Sequence, residues 1–271
     1  MTQAQKAQAF RALHAQGTFV IPNCFDGGSA RVLGGLGFKA LATSSAAAAA
    51  TYGRIDGQIT RDEALAHARL ICAASTLPVS ADLENGFGTT PKDAAITIAR
   101  AAEVGLVGGS IEDSSGDAAQ PILDFTLAVE RVAAAAEAAR AHPFPFTLTA
   151  RTENFLNGRE DLDDTLRRLQ AFEKAGADVL FAPGLPTLEA VRTVCASVSK
   201  PVNFMVAIPG KSFSVAELAA AGVRRISLAT TMYRAAMAGV ASAAGDILAT
   251  GRFDYLDRIM PGSKLEKYLT E

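Results

Sequence analysis

Short apolar runs alternate with amphipathic, alanine-rich segments along the whole chain. Runs bounded by turn residues give eight strand candidates, and a helical pattern separates each candidate from the next. The runs end near the following residues: Pro22, Thr43, Asp82, Glu112, Arg151, Ala182, Met205 and Ala229. Eight β-then-α units in 271 residues predict a (β/α)8 TIM barrel of the α/β class, with its active site at the carboxyl ends of the strands.

Helix boundaries are marked by capping residues. Thr60 and Ser214 each precede a glutamate by three residues, as in a capping box, and Thr90 precedes a proline. No Gly-x-Gly-x-x-Gly follows the first apolar run, which argues against the alternative of a doubly wound dinucleotide-binding sheet. No linker or low-complexity segment interrupts the alternation, so we expect one barrel domain over residues 1–271, with a helical tail at about 250–271.

Composition excludes several classes of function. The formal net charge is −2, so the chain lacks the basic surface that nucleic acid or an anionic membrane requires. No apolar run is long enough to span a membrane and the first residues are polar, so we expect a soluble, cytoplasmic protein with small-molecule partners. The three cysteines and three histidines show no metal-ligand spacing, which argues against a disulfide framework, a zinc site or a histidine-based triad.

The most informative segment is Asp-Leu-Glu-Asn-Gly-Phe-Gly at residues 82–88, directly after an apolar run. Strand alternation would place Asp82 and Glu84 on one face, where their charges repel unless a cation lies between them. The pattern therefore favours a magnesium site. The alternative is a solvated acidic turn that ends the strand.

Other polar residues fall at the same predicted rim of the barrel. They are Asn23, Asp26, Ser44, Ser45, Glu112, Asp113, Arg151, Glu153 and Asn154. Glu112 is expected to reach the rim beside Asp82 and to accept hydrogen bonds from water on a hard cation. Arg151 suits bidentate binding of a substrate carboxylate, with a structural ion pair as the alternative. The alanine tract at 46–50 leads into a long segment bounded by glycines, which is typical of a loop that covers a site.

These residues resemble the motifs of the isocitrate lyase/phosphoenolpyruvate mutase superfamily. Residues 82–88 resemble its metal motif Asp-x-Asp-x-Gly-[Tyr/Phe]-Gly, with Glu84 in place of the second aspartate. Residues 111–113 resemble its Ile/Leu-Glu-Asp motif, and residues 150–152 its Ala-Arg-Thr/Val motif. Residues 38–45 resemble the strand whose Ser-Gly end holds a 2-oxo acid, with Ser45 in place of the glycine. Asp56 matches the aspartate of the gating loop.

The resemblance covers residues 23 to about 229 and implies a set of roles. Mg²⁺, with Mn²⁺ as an alternative ion, is bound by Asp82, Glu84 and Glu112. The substrate, a small 2-oxo acid or dicarboxylate, is bound by Ser44, Ser45, Ala46, Asp82 and Arg151. The candidate catalytic residues are Arg151, Ser44, Tyr52 as a proton donor and Asp56 on the lid. A homo-oligomer, dimer or tetramer, is implied as well, with the C-terminal helix exchanged between subunits.

One departure from the resemblance bears on the reaction. Lyases of the superfamily carry Lys-x-Cys-Gly-His shortly after Glu-Asp, whereas residues 114–121 here read Ser-Ser-Gly-Asp-Ala-Ala-Gln-Pro. We therefore expect a Mg²⁺-dependent carbon–carbon lyase that forms an enolate by cleaving or decarboxylating an oxaloacetate-like 2-oxo acid. The alternatives are phosphonomutase-type P–C chemistry and a 2-oxo-acid-binding protein without turnover. Serines at 114 and 115 cannot replace the cysteine acid, so neither isocitrate nor 2-methylisocitrate should be cleaved at a useful rate.

Overall fold

The computed structural model describes residues 1–270 of the chain. Eight parallel strands form one sheet, and each ends within two residues of its predicted position. The strands are β1 (Phe19–Ile21), β2 (Leu41–Ala42), β3 (Val79–Asp82), β4 (Gly108–Glu112), β5 (Thr147–Arg151), β6 (Val179–Phe181), β7 (Val202–Met205) and β8 (Arg225–Ser227). Neighbouring strands follow chain order from β2 to β8, and β8 pairs with β1. The predicted TIM barrel is confirmed.

Asn23 completes the barrel where β1 meets β2. The two strands are joined by a parallel bridge between Asn23 and Ala42 rather than by a continuous ladder. The Asn23 side chain donates to the Thr43 carbonyl at 2.6 Å and accepts from the Leu228 amide at 2.8 Å. Asn23, predicted to lie at the catalytic rim, thus ties three strand ends together.

Helices surround the sheet and connect its strands. They are α1 (Gln3–Leu13), α2 (Gly27–Gly35), α3 (Ser45–Thr51), α4 (Arg61–Ala74), α5 (Pro91–Glu103), α6 (Phe125–Arg140), α7 (Leu162–Ala175), α8 (Leu188–Ser197), α9 (Val215–Ala220), α10 (Thr231–Thr250) and α11 (Gly262–Thr270). The predicted capping boxes at Thr60 and Ser214 are present, as is the cap at Thr90 before a proline. Asp26, predicted at the rim, is instead the N-cap of α2.

The alanine tract forms a helix of its own. Residues 46–50 lie within α3, where Ala47, Ala48 and Ala49 are buried. The glycine-bounded loop begins directly after this helix, at Tyr52, the C-cap of α3. Alanine favours helix, and its small side chain allows α3 to pack closely against the barrel.

Helix α1 closes the end of the barrel at which the strands begin. Phe10 is fully buried in a cluster with Ile21 of β1, Ala42 of β2 and Val107 before β4. A side chain at Gly108 would place its Cβ 2.9 Å from the Phe10 ring, so glycine is required at that contact. Because α1 blocks this end, the opposite rim is the open one.

The C-terminal tail leaves much apolar surface exposed. Within α10 no residue is buried, and α11 touches α2, where the Tyr268 ring lies against Gly35. Residue 271, the last of the predicted tail, lies outside the described part. No helix in residues 1–270 combines the length and apolar character needed to cross a lipid bilayer.

Candidate active site

The acidic turn after β3 is held by buried polar contacts. Glu84 and Phe87 have positive φ angles of 50° and 57°. The buried Arg131 guanidinium donates to carbonyls of this turn, at Asn85, Gly88 and Thr90. Glu84 therefore reaches the cavity through a left-handed turn, not through the strand alternation predicted from the sequence, because β3 already ends at Asp82.

Asp82 is oriented by hydrogen bonds with residues at the end of β2 and the start of α3. Its Oδ2 accepts from the Ser45 amide at 3.1 Å and from the Ser45 hydroxyl at 3.0 Å. The Asp82 amide donates to Thr43 Oγ1 at 3.1 Å. The Ser45 groups predicted to contact substrate thus hold the carboxylate at the centre of the rim.

Arg151 lies among three carboxylates. Its guanidinium pairs with Asp82 at 3.7 Å, with Glu112 at 3.4 Å and with Glu153 at closer range. Burial by itself would lower the pKa of Arg151, but the neighbouring carboxylates, Glu153 foremost, raise it above its usual value. Arg151 is therefore the fixed positive charge of the site.

Burial raises the pKa of several acidic side chains of the rim. Burial, reinforced by the charges of Asp82 and Asp56, raises the pKa of Glu84 to about 8. Burial also raises the pKa of Asp56, with a further contribution from Asp82, and raises that of Glu112 well above its usual value. Glu84 Oε1 is buried without a hydrogen-bond partner within residues 1–270. A cation at this place would restore the charged forms.

A cavity of about 1090 Å³ opens above these groups at the carboxyl ends of the strands. Such a volume suits a small-molecule ligand. The predicted site residues among those that line it are Ser44, Ser45, Ala46, Asp56, Asp82, Glu84, Glu112 and Arg151. The structure therefore brings together eight of the nine side chains selected from the sequence.

Tyr52 is the residue that the structure does not bring to the cavity. Its side chain is exposed, and its hydroxyl lies 3.5 Å from the Glu63 carbonyl. Ser44 lines the cavity, but it is buried and its hydroxyl caps α3 by accepting from the Ala47 amide at 3.3 Å. Neither contact supplies a free acid or base.

Asp113, expected at the rim beside Glu112, faces away from it. Its carboxylate pairs with the buried Arg168 at 3.2 Å and accepts from the Glu153 amide at 2.8 Å. Consecutive residues at a strand end point to opposite sides, which separates Glu112 from Asp113. Glu153, also predicted at the rim, is the closest carboxylate partner of Arg151, and its place two residues after Arg151 in the sequence is the signal that indicates this pair.

The arrangement of donors suits a cation that keeps most of its water ligands. Within residues 1–270, no three histidine, cysteine, aspartate or glutamate side chains form a ready-made metal-binding group. Mg²⁺ commonly uses one or two carboxylates and retains several waters. The unpartnered Glu84 oxygen beside Asp82 fits this mode of binding.

The family model described as phosphoenolpyruvate phosphomutase matches residues 10–248, which is most of the chain. The chain belongs to the isocitrate lyase/phosphoenolpyruvate mutase superfamily. Members of this superfamily are carbon–carbon lyases or mutases, so an enzyme of this class is indicated.

Relatives within the superfamily differ in activity. A candidate lyase/mutase from Burkholderia cenocepacia J2315 is 49% identical with a TM-score of 0.97, and the match covers 99% of this chain and 98% of that one. A probable 2-methylisocitrate lyase of Corynebacterium glutamicum is 29% identical over 98% of this chain and 88% of its own length. An oxaloacetate decarboxylase of Bradyrhizobium diazoefficiens is 30% identical over 66% of this chain and 62% of its own.

Proposed function

We propose that this protein is a Mg²⁺-dependent lyase that acts on a small, oxaloacetate-like 2-oxo acid through an enolate, by carbon–carbon cleavage or decarboxylation. The proposal rests on the position of Arg151, a largely buried cation that lines the cavity at the floor beside Asp82 and Glu112. A guanidinium in this place can bind a substrate carboxylate while its own carboxylate partners keep it fixed.

In this proposal the acidic side chains hold the metal ion. Asp82 would bind Mg²⁺ directly, and Glu84 and Glu112 would accept hydrogen bonds from its waters. When bound, the ion would act as a Lewis acid on the oxygens of the 2-oxo acid. Ser45 holds the Asp82 carboxylate in position through its amide and hydroxyl. Asp56, on the loop after α3, is placed to narrow the entrance once substrate is bound.

The choice of reaction follows from the weak acids around the cavity. Cys24, Cys72 and Cys195 do not line it, and burial raises the pKa of each thiol, to about 12, 12 and 11 respectively. In the loop after β4, the Ser115 hydroxyl donates to the Gln120 carbonyl at 2.6 Å. Reactions that require a strong proton donor at carbon are therefore disfavoured, and decarboxylation of a 2-oxo acid is favoured.

Two alternatives are less well supported. A phosphonomutase would need positive charge for a phosphoryl group in addition to the Arg151 that binds the carboxylate, yet the other cavity-lining arginine, Arg61, is already engaged by Thr97, Asp93 and two carbonyls. A binding protein without turnover would use the same metal and carboxylate groups. Only measurement of turnover distinguishes that protein from an enzyme.

The decisive experiment pairs turnover with binding over one set of compounds. Purified protein with Mg²⁺ is assayed against oxaloacetate, isocitrate, 2-methylisocitrate and phosphonopyruvate, and calorimetry measures the affinity for each. We expect turnover of oxaloacetate alone. Turnover of phosphonopyruvate would favour the mutase, and tight binding without any turnover would favour the binding protein.

A further inference from the structure

The interior of the barrel below the site is unusually polar. A cavity of about 50 Å³ lies there, between the catalytic rim and the middle of the sheet. It shares Asp82 and Arg151 with the larger cavity above, and its other polar lining residues are Asn23, Thr43, Ser80, Ser110, Asn203, Arg225 and Ser227. Barrel interiors are usually filled by branched apolar side chains, so this composition requires an explanation.

Arg225, the first residue of β8, is a buried cation without a carboxylate partner. Its Nε donates to Asn203 Oδ1 at 2.8 Å and its Nη2 donates to Thr149 Oγ1 at 3.0 Å. Nη1 is buried and has no partner within residues 1–270. Burial alone accounts for the lowering of the Arg225 pKa to about 9, with no contribution from any acidic residue.

The guanidinium remains charged at neutral pH, and an uncompensated charge in a protein interior is strongly unfavourable. Two neutral oxygen acceptors satisfy hydrogen bonds but do not supply negative charge. Arg151, which lines the same small cavity, shows the contrast, because it has three carboxylate partners. The remaining donor of Arg225, with the hydroxyls around the small cavity, suits an anion.

We propose that Arg225 binds a small monovalent inorganic anion of halide size, ordinarily chloride, inside the barrel. The size of the cavity selects this class, because about 50 Å³ accommodates one halide or a few waters and is too small for phosphate with its hydration. The same limit of size excludes the carboxylate of a substrate, which carries the rest of the molecule with it. The anion balances the charge of Arg225.

Anomalous scattering tests the proposal directly. Crystals of the full-length protein are soaked in sodium bromide and diffraction is measured at the bromine absorption edge. We expect a peak in the interior cavity within hydrogen-bond distance of Arg225 Nη1. Water alone at this position, at bromide concentrations that saturate surface sites, would overturn the proposal.

Thermal stability provides a second, solution test. The melting temperature of the parent should rise with chloride at constant ionic strength, adjusted with gluconate, which is too large to enter. Arg225→Lys, which keeps the charge, should retain the dependence, and Arg225→Met should lose it. Equal melting temperatures in chloride and gluconate for the parent would contradict the proposal. The parent comparison decides the question even if Arg225→Met does not fold.

Discussion

Glu84 combines several unfavourable features that a bound cation would relieve. Its positive φ angle and its unpartnered oxygen are both unfavourable by themselves, and burial next to Asp82 raises its pKa to about 8. Strained or unsatisfied groups of this kind concentrate at functional sites. Bound Mg²⁺ would remove the electrostatic part of this cost, which the metal-free protein retains.

The pKa of Glu84 predicts a pH dependence of stability in the metal-free protein. Its value is raised from 4.5 to about 8, so the folded state binds a proton that the unfolded state releases. With EDTA present, the free energy of unfolding should therefore fall as pH rises from about 4.5 to about 8. Denaturant titrations should show that the free energy of unfolding falls less over this pH range for Glu84→Gln than for the parent. An identical fall in parent and variant would contradict the assignment.

Arg151 should also contribute to folding. Replacing it by methionine leaves Glu112 and Glu153 buried without their cation, so we expect a loss of about 3–5 kcal/mol in the free energy of unfolding. The measurement is urea unfolding at neutral pH. Arg54→Met, which removes a pair on the exposed surface, is the matched control and should change stability much less. Equal effects of the two substitutions would show that the buried cluster is not stabilised by Arg151.

Residue types at strand ends were predictable from the sequence, but their orientations were only partly so. Asp82, Glu112 and Arg151 follow apolar runs, and a barrel brings the ends of parallel strands to one rim. The contacts of Asp113 with Arg168 and of Ser45 with Asp82 depend on loop conformation. Nothing in the local pattern specifies which of several possible partners a side chain will bind.

At the scale of elements, the loops after strands are stabilised by buried ion networks. Asp164 in α7 accepts from Arg168 at 2.8 Å and from Asn154 at 3.0 Å, and also pairs with Arg159 and Arg167. Through Arg168 this network reaches Asp113 behind the catalytic rim. Helix α7 therefore supports the backbone that positions Glu112 and Glu153.

This network predicts an acid transition. Burial opposes the charged form of Asp164, but the hydrogen bonds from Arg168, Asn154 and Arg167 outweigh it and lower the pKa to about 2. The stabilisation of the folded state by Asp164 is present above pH 3.8, the ordinary pKa of aspartate, and is lost as pH falls towards 2. The free energy of unfolding, measured between pH 5 and pH 2, should decline less for Asp164→Asn than for the parent. An equal decline in parent and variant would exclude Asp164 as the cause of the acid transition.

Helix boundaries were the best-predicted elements, because caps such as Thr60 and Ser214 act through hydrogen bonds within a few residues. The alanine tract carries no capping box that marks its ends, only the general helix propensity of alanine. Its helical state depends on packing against the barrel, which a local pattern does not contain.

For the whole molecule, eight repeats of one pattern were sufficient to predict the barrel. Its closure by a single bridge at Asn23 was not predictable, because the residue pairs with chain segments far away in sequence. The polar interior at Arg225 was likewise hidden, since β8 is short and its inward side cannot be recognised from three residues.

The exposed apolar side chains of α10 and of the tail that follows it predict a homo-oligomer. Leu248 is 89% exposed and Phe253 is 57% exposed, with further apolar groups nearby. Light scattering at micromolar concentration should give a dimer or tetramer, and Leu248→Glu/Phe253→Glu should reduce the mass. Leu70→Glu, at an exposed site on α4, is the control and should leave the oligomer intact. A monomeric parent would contradict the prediction.

We propose that Asp82 supports Mg²⁺-dependent breakdown of a 2-oxo acid. The most direct test is the rate of oxaloacetate consumption with Mg²⁺, measured for the parent and for Asp82→Asn, with pyruvate and oxalate both quantified and the protein-free rate subtracted. We expect the parent to turn over oxaloacetate and to lose activity in EDTA, and the variant to be slower by about 10²-fold or more. Equal rates in parent and variant, or a parent no faster than Mg²⁺ alone, would contradict the account.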